Sequence, residues 1–318
     1  MPEELAIGLD IGGTKMAFVI ADRQGRIHEN ITVPTNSDAA VEEFFDRIGN
    51  QLNRYIDRSA AICGIGIGVP GPVASQRGLA LHAANLGWKN VPVRDAVAAR
   101  LSRQLPIFVD NDVNCGAIGE QQFGVVAGVA DFVYLTAGTG FGGAAMINNR
   151  LLRGASHSEM EIGHVSLDPV NGLPCTCGMR GCLEMTISGK GIVAHARQHL
   201  ADYPDSLLQQ GGITAREIVK AAEAEDSLAR HVMCEAGSAL GIACAWCVNL
   251  FNPPLIVLSG GLILAAYHLL KAPMQREIRA RSLPINSAAV HIKLAKLRNA
   301  ALGASALVWH HQHREEIA

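Results

Sequence analysis

The sequence predicts an α/β protein built from two related domains that face each other across a cleft. Three observations carry this. Apolar strand-like runs alternate with segments of helical spacing along the whole chain. A strand, glycine turn and strand occur twice, first as LAIGLD, IGGTK and MAFVIAD (5–22), then as DFVYLT, AGTGFGG and AAMIN (131–148). The 318 residues, 49% hydrophobic and 18% charged, are enough for two packed cores.

Each element follows from local pattern. A third strand is predicted near Ile27–Val33. Residues 39–57 place Val41, Phe44, Phe45, Ile48, Leu52 and Ile56 at helical spacing. Residues 62–69 (ICGIGIGV) read as a small-residue strand that ends in the loop PGPV. Val93–Gln104 reads as a helix and 106–110 as a strand. NDVNCGAIGEQQFG then opens a helix with Asn111 or Asp112 at its N-cap. Beyond the second hairpin, helices are expected at 188–199, 214–224 and 227–251, strands at 255–261 and 290–295, and a helix from Asn299 onward. These elements divide the chain into domains at 1–112 and 113–298, with the helix of 299–318 packing back on the first.

Composition excludes several classes of function. A net charge of −2 and 5% aromatic residues argue against a nucleic-acid surface. No signal peptide and no membrane-length apolar run is visible, so a cytoplasmic protein without a membrane partner is expected. The eight cysteines then read as metal ligands and reduced core thiols. Cys63, Cys115, Cys244 and Cys247 look like core fillers.

The densest chemistry lies in residues 161–184, EIGHVSLDPVNGLPCTCGMRGCLE. His164 precedes Cys175, Cys177 and Cys182. Three thiolates and one imidazole complete a tetrahedral zinc shell of the closed, structural kind, with no position left for water. Glu161 and Glu184 flank this knot, which suggests a zinc that shapes a pocket and does no chemistry itself.

The glycine turns point to phosphate. GTGFGG (138–143) matches G-x-G-x-x-G, but a short strand-like AAMIN follows it where a dinucleotide fold needs a helix. No G-x-x-x-x-G-K-[ST] occurs. The better reading is one glycine hairpin per domain, each offering backbone N–H groups to nucleotide phosphates. Phosphoryl transfer further needs a carboxylate to accept the hydroxyl proton. Asp112, after a strand and at the start of a helix, supplies one.

These motifs together resemble the ROK family of sugar kinases and repressors, from residue 5 to about 308. The matching elements are D-x-G-G-T-K at Asp10–Lys15, N-D-x-N at Asn111–Asn114, E-x-G-H at Glu161–His164 and C-x-C-G-x-x-G-C-x-E at Cys175–Glu184. The resemblance implies an actin-like (ribonuclease H-like) ATPase fold and ATP-dependent phosphorylation of a hexose at its 6-hydroxyl, with Asp112 as base. It implies that Asp10 holds Mg²⁺, that Gly12, Gly13, Thr14, Lys15, Gly138, Thr139 and Gly140 meet the phosphates, and that Gly260 and Gly261 lie on the adenosine side. The sugar falls to Gly71, Asn85, Asn111, Asp112, Glu161, His164 and Glu184. His164 thus has two tasks, one ring nitrogen on structural zinc and the other toward the sugar.

The resemblance also implies a homodimer. It leaves glucose first among substrates, with N-acetylmannosamine, N-acetylglucosamine, fructose and mannose as alternatives. A sugar-sensing regulator is the rival class; only nine residues precede Asp10, which leaves no room there for a DNA-binding domain. The chain departs from the family pattern at Ala144, at LSGGL, and at His157-Ser158-Glu159-Met160, where Glu159 and Met160 are expected to add charge and bulk beside the sugar.

Overall fold

A computed structural model describes residues 4–37 and 40–315, the side chains of 313–315 excepted. The first residue of the helix expected at 39–57 and the last three of that at 299–318 lie outside the described residues. In chain order the strands and helices are β1 (Leu5–Ile11), β2 (Lys15–Asp22), β3 (Ile27–Pro34), α1 (Val41–Ile56), β4 (Ile62–Val69), β5 (Val73–Ala74), β6 (Leu79–Ala83), β7 (Trp88–Val91), α2 (Val93–Ala98), β8 (Ile107–Asn111) and α3 (Asp112–Phe123). There follow β9 (Phe132–Ala137), β10 (Phe141–Ile147), β11 (Arg150–Leu151), α4 (Glu184–Ile187), α5 (Gly189–His199), α6 (Ala215–Glu223), α7 (Ser227–Phe251), β12 (Leu255–Ser259), α8 (Gly261–Arg281), α9 (Pro284–Ala289), β13 (His291–Leu294) and α10 (Ala300–Glu315).

The chain forms two compact units, one of residues 1–130, 149–159 and 295–318, the other of 131–148 and 160–294. The boundary expected after residue 112 would cut α3 from the surfaces it packs on. Helix α3 instead stays with the first unit, because Gly119 meets Gly303 of α10 and the Glu120 carboxylate accepts the Leu297 N–H at 2.6 Å.

In the first unit the sheet order is β3-β2-β1-β4-β8, with β1 and β2 antiparallel and β1, β4 and β8 parallel. Alternation sorts its two faces. Ile7, Leu9, Ile65 and Ile67 join Phe44, Phe45, Ile48 and Leu52 of α1 in one core. On the other face, Gly8 and Gly66 let α10 lie directly on the sheet. A Cβ at either would fall within 2 Å of a carbonyl oxygen of that helix. The small-residue strand 62–69 is therefore a seat for α10. A meander of β5, β6 and β7 fills residues 73–91, where the sequence suggested only the loop PGPV. Helix α2 ends at Ala98, short of the expected Gln104, because Asn53 captures the chain beyond it. The Asn53 amide donates to the Arg100 carbonyl at 2.8 Å and its oxygen accepts the Ser102 N–H at 2.9 Å.

In the second unit β10, β9, β12 and β13 are neighbours in that order. Helix α7 is long and apolar enough to cross a membrane by composition, but Leu228, Val232, Leu240, Cys244 and Val248 bury its length in the core of this unit. Helix α8 packs along it and carries Pro273 in its interior, against Gly237 of α7.

Candidate functional site

The first unit gathers the predicted Asp10, Gly12, Gly13, Gly71, Asn85, Asn111 and Asp112 at the ends of β1, β4 and β8. Asp10 pairs with Gly68 in the parallel ladder. A side chain at Gly68 would lie 3.6 Å from Asp10 Oδ1 and 3.6 Å from the Asp112 Cα. Its absence leaves a space with a carboxylate residue on either side. Burial pushes the Asp112 carboxyl up to about 7, and the nearby Asp10 charge adds to this. Burial also lifts Asp10 to about 6, against the pull of Lys15.

Asn111, not Asp112, caps α3. Its side-chain oxygen accepts the Val113 and Asn114 N–H groups at 2.9 and 3.2 Å. Its amide nitrogen donates to the Gly71 carbonyl at 3.1 Å and to Asp112 Oδ1 at 3.0 Å. One side chain thus ties the Gly71 loop, the helix start and the candidate base together. Gly71 sits at φ 80°, where a Cβ would strike the His82 carbonyl at 2.2 Å.

The hairpin beside this group closes through the Gly12 N–H on the Lys15 carbonyl at 3.0 Å. Gly13 packs on Asn85, where a Cβ would come within 3.0 Å of the Asn85 Cβ. Thr14 and Lys15 are exposed at its tip. Buried Thr35, which the motifs do not include, braces the turn. Its hydroxyl donates to the Gly12 carbonyl at 2.6 Å and its N–H to the Thr14 carbonyl at 3.0 Å.

A second group that sequence reasoning missed stands behind Asp112. Arg153 forks onto the buried Asp110, with Nη1 at 3.1 Å from Oδ1 and Nη2 on Oδ2, and Nη1 also reaches Glu159 Oε1 at 3.1 Å. Asn114 donates to Asp110 at 2.9 Å and to Glu159 at 3.3 Å. Glu159 was expected to bring a free charge toward the sugar. Its side chain is 7% exposed and neutralised by Arg153, so it braces the Asp110–Asn114 segment instead. Met160 likewise turns into apolar surroundings. Its methyl group would sit 3.2 Å from a Cβ on Gly143, and it packs on the core of the second unit from a left-handed φ of 56°.

In the second unit the hairpin between β9 and β10 closes through the Gly138 N–H on the Gly140 carbonyl at 2.9 Å. Two helix N-termini converge on it. At the start of α5 the Gly189 N–H donates to the Gly138 carbonyl at 2.8 Å. At the start of α8, Gly260 sits at φ 89°, where a Cβ would meet the Ala137 carbonyl at 2.2 Å. Gly138, Thr139, Gly189, Lys190, Gly261 and Leu262 line a cavity of about 570 Å³, which Ala215, Arg216, Val219 and Lys220 of α6 complete. Two helix N-termini and three basic side chains make this a place for an anion.

Glu184 contacts one residue of this lining, Lys190. One carboxylate oxygen takes Lys190 Nζ at 2.7 Å and the other accepts the Phe141 N–H at 3.1 Å. The zinc-type knot positions it. His164 Nδ1 lies 3.7 Å from Cys175 Sγ, Cys177 Sγ lies 3.6 Å from Cys182 Sγ, and all four donor atoms lie within 4.8 Å of one another. Zn–S bonds of about 2.3 Å in a tetrahedron put neighbouring sulfurs roughly 3.8 Å apart, so these donors fit the ion. The other imidazole nitrogen, Nε2, lies 4.0 Å from the exposed Glu161. Cys182 leads within two residues to Glu184 at the start of α4. Gly163 rests against the Phe141 carbonyl, where a Cβ would approach to 2.0 Å. The knot is thus joined to the second hairpin on both sides.

A family model described as ROK family matches residues 6–311. The chain belongs to the ROK family. Over 310 residues it is 32% identical to a glucokinase of Halalkalibacterium halodurans, covering 95% of this chain and 93% of the relative. Among solved structures it resembles the ROK family glucokinase from Streptomyces griseus in complex with glucose and AMPPNP. That likeness has TM-score 0.78 and 31% identity, over 96% of this chain and 98% of that one. It also resembles a ROK family transcriptional regulator, a homolog of the E. coli MLC protein, with TM-score 0.87 and 26% identity over 96% of this chain and 78% of that one. The ROK architecture is the actin-like ATPase fold, and the two α/β units conform to it.

Proposed function

We propose that this ROK protein transfers the γ-phosphoryl group of ATP to the 6-hydroxyl of a hexose, glucose being the first candidate. The observation that carries this reading is the Asp10–Asp112 pair beside a glycine hairpin, with Asp112 held by Asn111 and its carboxyl raised to about 7. A carboxylate of that basicity accepts a proton near neutral pH as the hydroxyl oxygen attacks phosphorus. The likeness to glucokinases supports the substrate class.

In this reading Asn85, Asn111 and the Gly71 loop hold sugar hydroxyls in the first unit, while Glu161 and His164 offer acceptors in the second. Glu184 keeps the second hairpin and Lys190 in place for the nucleotide. Gly12, Gly13, Thr14 and Lys15 face the terminal phosphates, Gly138, Thr139 and Gly140 the phosphates from the second unit, and Gly260 and Gly261 the adenosine side. Mg²⁺ suits Asp10, a desolvated carboxylate with a like charge nearby, and when bound it neutralises phosphate charge. Zinc on Cys175, Cys177, Cys182 and His164 is structural.

A coupled ADP-release assay with ATP and Mg²⁺ tests the reading against glucose, mannose, fructose, N-acetylglucosamine and N-acetylmannosamine. Turnover with one of them is the expected result. The likeness to a transcriptional regulator favours a second reading, a sugar sensor. Saturable sugar binding without ADP release would select that one.

A further inference from the structure

Four side chains of metal-ligating type lie near one another on a face of the second unit that the proposed reaction does not use. His195 and His199 stand one turn apart on α5, and His231 and Glu235 one turn apart on α7. Residues four apart share one helix face. The two helices pack together through Ile192 and Ala196 of one and Leu228, Val232 and Ala236 of the other. Both ligand pairs therefore fall on the same seam.

Along the seam Glu235 stands near ligand spacing from two of the histidines. Glu235 Oε2 lies 3.4 Å from His195 Nδ1, and Glu235 Oε1 lies 3.6 Å from His231 Nε2. Neighbouring nitrogen and oxygen ligands of a metal with bonds of about 2.0–2.1 Å stand roughly 3.0–3.4 Å apart. His195 Nδ1 and Glu235 Oε2 are also buried without a hydrogen bond, although they face each other. The His199 ring centroid lies 6.4 Å from that of His195 and 5.6 Å from that of His231. Its Nδ1 rests 3.4 Å from Asp202, which orients the ring as an outer carboxylate orients a ligating histidine.

We infer that His195, His199, His231 and Glu235 form a second metal site, for a divalent late transition ion such as Zn²⁺ or Ni²⁺. Three imidazoles and a carboxylate, without a thiolate in the set, select such ions over Mg²⁺ or Ca²⁺. With Nδ1 held by Asp202, His199 presents Nε2 as its ligand atom. Because α5 begins at Gly189 and Lys190 in the anion pocket, a metal at its other end ties that helix to α7. The inference does not depend on what the pocket binds.

Titration with Ni²⁺ by calorimetry of protein holding a single equivalent of zinc tests it, since that equivalent fills the cysteine knot. One equivalent of bound Ni²⁺ is expected. His195→Gln, His231→Gln and Glu235→Gln should each weaken it on the order of tenfold or more, and Asp202→Asn by about tenfold. The His310→Gln, His311→Gln double variant controls for the C-terminal histidines and should leave it unchanged. Retained zinc content and an unchanged far-UV spectrum show that each variant is folded. Absence of a stoichiometric equivalent, or an equivalent indifferent to the three α5 and α7 substitutions, would overturn the inference.

Discussion

The two glycine hairpins share one plan and sit in opposite electrostatic settings. The first, at Asp10–Lys15, is attached to a carboxylate pair whose burial holds both groups above their ordinary range. The second, at Gly138–Phe141, meets two helix N-termini and the side chains of Lys190, Arg216 and Lys220. A glycine turn by itself only clears space for a ligand. What surrounds it decides whether that space draws a proton and a cation or a phosphate. In the proposed reading the first turn stands on the side of proton acceptance and the second on the side of nucleotide binding.

Removing the knot that steadies the second setting should have the largest effect. Stripping zinc with a chelator, or Cys182→Ser, is expected to unfold the segment around 161–184 and release Glu184 from Lys190 and Phe141. Metal binding in small zinc domains contributes roughly 10–16 kcal/mol, so the fall in Tm should be large, and calorimetry with metal analysis reads it. Gly260→Ala comes next. It forces a Cβ into the Ala137 carbonyl at a left-handed φ, and a loss of about 2–4 kcal/mol is expected in denaturant melts.

The first setting makes a prediction of sign. Asp10 and Asp112 bind protons more tightly folded, at about 6 and 7, than at the ordinary 3.8. Between pH ~4 and ~7 the folded state then holds more protons than the unfolded one at these two groups, so their contribution to stability falls as pH rises. Mg²⁺ should recover stability at pH 7 and do little at pH 4.5. Melting curves at both pH values decide this, and a flat profile would remove the carboxylate pair from the comparison.

Smaller effects sharpen the contrast. Lys190→Met should raise the KM for nucleotide about tenfold, a change of ~1.4 kcal/mol, with little change in the KM for sugar. Met160→Gly should move stability by less than about 1 kcal/mol. It relieves a left-handed backbone but gives up packing on Gly143 and the apolar core.

The parts legible in the sequence were those whose chemistry is local. His164 and the three cysteines lie within a span of 161–184, the glycine turns carry their own signature, and α7 is bounded by Asp226 and Asn252 as caps. The parts not legible depend on pairing over long separations. Nothing near Arg153 announces that it forks onto Asp110, or that Thr35 braces a turn at Gly12. Helix α8 carries Pro273 in its interior, which masks it in the sequence, and the ring packs against Gly237 of α7. Glu184 is visible in the motif, but its partners, Lys190 and the Phe141 N–H, follow from tertiary geometry.

The most direct measurement is single-turnover kinetics of Asp112→Asn beside calorimetric binding of nucleotide and sugar. Asparagine keeps the shape and the bond to Asn111 but cannot take a proton. The account predicts that phosphoryl transfer falls about 10²–10⁴-fold while nucleotide affinity holds, because the second hairpin is untouched. Full transfer by Asp112→Asn, or nucleotide affinity lost in step with the rate, would contradict it.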